Sequence, residues 1–156
     1  MKVVLDTNVL VAAFAAQGLC HALLELCVDQ HEIILSPDIM KEVVAALQKK
    51  LKVPPKVAKD VSEYLANHAA LHKAGRLEKQ VSRDPTDDHI LALAEQSNAD
   101  YIITGDEDLL TLKEHQGIPI VLPRRFWEIR INRGSRRTAV RFEIGIGHNI
   151  SLKLTP

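Results

Sequence analysis

Lys2-Val3-Val4-Leu5-Asp6-Thr7-Asn8 carries a β-branched apolar run that stops on an aspartate. Val and Leu without polar alternation read as a strand buried on both faces, the kind found in parallel sheets. Asp6 stands where the chain leaves that strand, and Thr7-Asn8 are residues that begin a helix by accepting backbone N–H bonds. In open α/β sheets the carboxyl ends of the strands are where ligands and chemistry collect. The same pattern recurs downstream. Residues 31–35 are a second apolar run, punctuated by Ser36-Pro37 as N-cap and first helical residue. Tyr101-Ile102-Ile103-Thr104 is a third, leaving through Gly105-Asp106-Glu107-Asp108. Residues 118–122 are a fourth, in which Pro119 suits an edge position.

Helical patterns fill the intervals. Residues 8–16 and 19–28 form two apolar helices broken at Gly18. Ile39, Met40, Val43, Val44 and Leu47 share one face of the next helix, which runs to Lys49-Lys50 before Pro54-Pro55. Val57, Val61, Tyr64 and Leu65 define a partner, and the two read as an antiparallel pair. Residues 68–83, with Gly75 and mixed charge, read as a loop with room for a short helix or strand. Asp84-Pro85-Thr86-Asp87-Asp88 opens a helix apolar almost all round through Ile90, Leu91, Ala92, Leu93 and Ala94, and Asn98-Ala99-Asp100 ends it. A short helix through Leu109, Leu110 and Leu112 and a last one over residues 123–131 complete the set. Strands separated by helices predict a three-layer α/β/α sandwich around a mostly parallel sheet with right-handed crossovers. Residues 1–131 read as that domain. Residues 132–156 read as a basic linker and a C-terminal extension, either a hairpin with Val140, Phe142, Ile144 and Ile146 on one side or a mobile tail.

A chain of 156 residues suits one domain with a core of its own. Twenty basic residues balance twenty acidic ones, so no global field recruits a polyanion and any nucleic-acid contact must come from local clusters. One Trp, two Tyr and three Phe argue against a base-stacking platform. Cys20 and Cys27 lie seven apart on an apolar helix, where they pack into the core; their spacing supports neither a metal pair nor a disulfide, which fits a reducing cytosol. The apolar run over residues 9–16 is too short to span a bilayer and is approached through Asp6 and Asn8, so it reads as a buried helix rather than a leader.

Several acids are candidates for chemistry. Taken singly, Asp6 is also a helix N-cap, Glu42 a solvated residue flanking an apolar face, Asp87 and Asp88 partners of a helix dipole, and Asp106 and Asp108 turn or capping residues. Taken together, Asp6 and Asp106 leave two strands on the same edge of a parallel sheet, and Asp88 starts a helix that faces the same crevice. Clustered carboxylates repel and raise one another's pKa unless positive charge is present. No Lys or Arg adjoins the three Asp positions. An oxygen-ligated Mg²⁺ or Mn²⁺ resolves the repulsion better than Zn²⁺, which prefers His and Cys.

Asp6-Thr7-Asn8-Val9, Glu42, the block Asp84-Pro85-Thr86-Asp87-Asp88-His89-Ile90-Leu91-Ala92-Leu93-Ala94 and Ile103-Thr104-Gly105-Asp106-Glu107-Asp108-Leu109-Leu110 together resemble the PIN-domain family, and most of all its toxin components of prokaryotic toxin–antitoxin modules. The resemblance covers residues 1–131 and implies a metal-dependent ribonuclease. Asp6, Glu42, Asp88 and Asp106 match the family's acidic quartet, Asn8 and Thr104 its orienting polar residues; Asp87 is the rival to Asp88, and Asp108 assists Asp106. It also implies an RNA substrate, a homodimer, a cytoplasmic setting and a cognate antitoxin covering the cleft. The tail departs from the pattern.

The expected chemistry is phosphodiester hydrolysis with Mg²⁺ or Mn²⁺ held by Asp6, Asp88 and Asp106 and with Glu42 completing the shell. Lys49, Lys50, Lys52 and Lys56 are candidates for gripping phosphates. Two other readings stand beside it. A haloacid-dehalogenase-like phosphatase also uses a strand-end Asp, but needs an acid where Asn8 stands. A non-catalytic PIN-like module would bind RNA or protein without turnover.

Overall fold

The computed structural model describes residues 1–132, with the side chains of residues 131 and 132 left aside. The expected hairpin or tail over residues 132–156 lies, but for its first residue, outside the described residues. The elements run β1 (Lys2–Leu5), α1 (Thr7–Ala15), α2 (Leu19–Gln30), β2 (Glu32–Leu35), α3 (Pro37–Lys50), α4 (Pro55–His68), β3 (Ala69–Leu71), a 3₁₀ turn (Pro85–Asp87), α5 (Asp88–Ser97), β4 (Tyr101–Ile103), α6 (Glu107–Leu110), β5 (Glu114–His115), β6 (Ile118–Val121) and α7 (Pro123–Asn132).

The sheet order is β3-β2-β1-β4-β6-β5, parallel throughout except for the β5–β6 pair. β1 is central. Val3 pairs with Ile33 on one side and Tyr101 on the other, and Val3, Val4 and Leu5 have no exposed surface. The chain winds from β1 through β2 to β3 in one direction and then crosses back to β4. Right-handed crossovers therefore put α5 on the opposite face from α1–α4, giving the three-layer sandwich. α5 touches β1, β2 and β4, and Ile90 through Ala94 are at most 1% exposed, so this stretch is apolar on every side because it is covered on every side, while Glu95 and Gln96 after it are exposed.

Local chemistry explains the boundaries. Ser36 Oγ accepts from Ile39 N at 3.2 Å, capping α3. Asn98 ends α5 in the left-handed region at φ 53°, a conformation Asn tolerates better than most side chains. Of residues 68–83, His68 ends α4, Ala69–Leu71 form the short strand β3, and residues 72–83 are irregular.

One expectation is corrected. β6, which contains Pro119, is not the edge strand; the two-residue β5 lies outside it. Pro119 is tolerated because the β4–β6 register begins one residue later, at Ile120, whose own N–H donates to Lys113 O at 2.9 Å. Gln116 (φ 51°) and Gly117 (φ 77°) make the tight two-residue turn joining β5 to β6.

Cys20 and Cys27 are both free, and burial pushes the Cys27 thiol up to about 12. Among the described residues no single helix is long and apolar enough to cross a membrane.

Candidate active site at the β1–β4 crevice

The strand order reverses between β1 and β4, and the crevice outside their carboxyl ends is the usual ligand position in such sheets. Asp6 follows β1 directly and Thr104 follows β4. Asp6 N donates to Ile103 O at 3.0 Å, which ties the two strand exits together.

Asp6 is 8% exposed and caps α1, Oδ1 accepting from Thr7 N at 2.7 Å. Its Oδ2 accepts from the fully buried Thr104 hydroxyl at 2.7 Å and from Asn8 Nδ2 at 3.3 Å. Thr104 Oγ1 also accepts from Asp106 N at 3.0 Å, and Asn8 Oδ1 from Gly105 N at 3.2 Å. Asn8 and Thr104 thus bind the turn after β4 to the turn after β1. Asp106 caps the one-turn helix α6, its Oδ1 accepting from Asp108 N at 2.8 Å. The capping roles expected for Asp6 and Asp106 are both present.

One carboxylate oxygen from each of Asp87, Asp106 and Asp108 lies within 4.8 Å of the others. Burial raises Asp87 to about 6, with the charges of Asp106, Asp84 and Asp6 adding to it and a hydrogen bond from Ser82 opposing. Burial also raises Asp6; its bonds from Thr104 and Thr7 oppose, and the charges of Asp106 and Glu42 add. Among the described residues, none of Asp6, Asp87, Asp106 or Asp108 forms an ion pair with a Lys or Arg. An all-oxygen donor set carrying mutual repulsion and no cation of its own fits a hard divalent ion.

Of the two adjacent acids at the start of α5, the sequence reading put Asp88 in the cluster with Asp87 as rival. The structure brings Asp87 into the cluster and directs Asp88 elsewhere. The Asp88 carboxylate accepts from Ser82 N at 2.8 Å and from Val81 N at 3.2 and 3.3 Å. The reason is local: residues 85–87 form a 3₁₀ turn, which winds more tightly than an α-helix and changes the direction in which successive side chains leave.

Glu42 reaches the crevice from α3. Thr7 Oγ1 donates to its Oε2 at 2.6 Å, and His89 Nε2 lies 3.6 Å from its Oε1. Thr7, His89 and Ser82 are contributors that sequence reasoning missed. Thr7 lay in view beside Asp6, and His89 in the Asp-Asp-His run; only the fold shows that both meet Glu42. Lys49, Lys50, Lys52 and Lys56 are all exposed near the α3–α4 turn, outside the cluster. Lys49 is seven residues beyond Glu42, two turns or about 10 Å along the same helix face.

A family model for the PIN domain matches residues 2–108. The chain belongs to the PIN-domain family. In fold it is similar to the crystal structure of VapBC2 from Rickettsia felis bound to a DNA fragment from their promoter, with a TM-score of 0.57 and 17% identity over 78% of this chain and 98% of that one. No curated protein matches the chain.

Proposed function

We propose that this PIN domain is a metal-dependent ribonuclease and the toxin of a toxin–antitoxin pair. The observation that carries the nuclease reading is the meeting of Asp87, Asp106 and Asp108 oxygens within 4.8 Å beside the buried Asp6, at the point where the strand order reverses. The toxin role and the antitoxin partner rest on the resemblance and on the likeness to VapBC2.

A bound Mg²⁺ or Mn²⁺ would neutralise the cluster, polarise a phosphate oxygen and make water a stronger nucleophile near neutral pH. Asp6, Asp87 and Asp106 are the residues to hold it, with Asp108 assisting. Thr104, Asn8 and Thr7 fix the rotation of Asp6 by taking both its oxygens, so the carboxylate is set before any ligand arrives. Glu42, held by Thr7 and faced by His89, stands at the cleft wall with 44% of its side chain exposed, in reach of solvent and able to accept a proton from attacking water. Lys49, Lys50, Lys52 and Lys56 offer phosphate contacts beyond the site, Lys49 in line with Glu42 along α3. The chain acts on RNA in the cytoplasm and as a homodimer in this reading.

Asn8 counts against the phosphatase alternative. Its amide bridges Asp6 and Gly105, so a neutral structural group fills the place where that chemistry requires an acid.

The test is cleavage of labelled RNA by wild type, Asp6→Asn and Asp106→Asn, each with Mn²⁺ or with EDTA. Mn²⁺-dependent cleavage by wild type alone is expected. Full cleavage by both variants, or cleavage by wild type in EDTA, contradicts the proposal. RNA binding without cleavage by wild type would favour the non-catalytic module.

A further inference from the structure

We infer that Asp88 is a positioning residue: it draws residues 81 and 82 against the acidic cluster, so that the Ser82 hydroxyl meets Asp87. The inference rests on the nuclease reading for its consequence, though not for its geometry.

Both Asp88 oxygens are occupied by two consecutive backbone N–H groups. Oδ1 accepts from Ser82 N at 2.8 Å and Val81 N at 3.3 Å, while Oδ2 accepts from Val81 N at 3.2 Å. Such charge-assisted bonds are stronger than neutral ones. An acid placed only to complement the α5 dipole would have no need to reach back six and seven residues. Yet Asp88 does, and the segment it holds lacks regular pairing: residues 72–84 contain no helix or strand.

The clamp has a visible result. Val81 is 43% exposed and Arg83 is exposed, but Ser82 between them is 3% exposed. Its hydroxyl donates to Asp87 Oδ2 at 3.4 Å, and its carbonyl accepts from Gln80 Nε2 at 3.0 Å. A donor on one oxygen of Asp87 restricts how that carboxylate turns, which is how outer partners tune a metal-binding acid. The adjacent acids thus divide the work. Asp87 faces the cluster, and Asp88 holds the strap that orients it.

The experiment measures two things on the full chain: amide hydrogen exchange at Val81 and Ser82, and Mn²⁺ affinity by direct titration. The variants are Asp88→Ala, Asp88→Asn, Ser82→Ala, the Asp88→Ala/Ser82→Ala double and Asp87→Asn. Circular dichroism checks that each is folded. Asp88→Ala is expected to free both amides to exchange and to weaken Mn²⁺ binding about 10- to 100-fold, the usual effect of losing an outer-shell partner. Asp88→Asn keeps a carbonyl acceptor for Ser82 N and should retain affinity within a few-fold. Ser82→Ala should weaken binding without freeing the amides, and add nothing to Asp88→Ala. Asp88→Asn as damaging as Asp87→Asn would make Asp88 a direct ligand and overturn the inference. So would an Asp88→Ala that loosens the strap with affinity unchanged, since Asp88 would then be structural only. A wild type that binds Mn²⁺ but leaves RNA intact contradicts the nuclease reading, and the same two readouts still decide this one. A wild type that binds no Mn²⁺ overturns both.

Discussion

Asp87 has an ordinary value of 3.8 and a folded value of about 6, raised first by burial and then by the charges of Asp106, Asp84 and Asp6. The metal-free fold therefore binds this proton more tightly than the unfolded chain does. The stability so gained is complete below pH 3.8 and is lost as pH rises through about 6. At neutral pH the acid is a cost to the fold, of the kind functional sites carry. Asp87→Asn should raise the melting temperature in EDTA at pH 7.5 by a few degrees, while lowering Mn²⁺-dependent RNA cleavage by more than the roughly 100-fold that an outer partner costs. Calorimetry and a cleavage time course check the two halves, and an unchanged or lower melting temperature would contradict the first. The sequence showed that acids collect at this edge, because Asp6 and Asp106 each follow an apolar run. It did not show which of Asp87 and Asp88 turns inward, because that depends on one 3₁₀ turn that residue types do not encode. Nor did it show Thr7 and His89 meeting at Glu42, a contact spanning α1, α3 and α5.

At the scale of elements, the turns after β1 and β4 act as a unit through Thr104. Its hydroxyl donates to Asp6 Oδ2 and accepts from Asp106 N, with no exposed surface to let water substitute. Thr104→Val keeps the shape and removes both bonds. It should cost about 1–3 kcal/mol of stability, the penalty for a buried group left unpaired, and lower activity about 10-fold or more. Urea denaturation beside cleavage assays tests this, and full activity would contradict it. The end of α5 makes a separate prediction. Asn98 at φ 53° is expected to lose about 1 kcal/mol on replacement by Ala, which resists the left-handed region. Elements of this kind were readable: Ser36-Pro37 marked the start of α3 and Asn98 the end of α5. Pro119 misled because a two-residue strand such as β5 leaves almost no pattern in the sequence, while its turn depends on Gln116 adopting a positive φ.

Residues 1–132 are built on a sheet whose strand order reverses between β1 and β4, and that reversal makes the crevice. The alternation of apolar runs with helix starts was enough to predict the layers. Strand order was not on the page of the sequence, since crossing from β3 back to β4 is a matter of packing α5 on the free face. Because the acids repel one another, a divalent ion should stabilise the entire fold by binding it and not the unfolded chain. Mn²⁺ should therefore raise the melting temperature more at pH 7.5 than at pH 5, where Asp87 holds its proton and competes with the ion. Equal shifts at the two pH values would contradict the linkage. The most direct test of the account is anomalous diffraction from crystals soaked in Mn²⁺. A peak among Asp6, Asp87, Asp106 and Asp108 is the predicted result; a saturated crystal with no peak there, or with its peak on other residues, would contradict it.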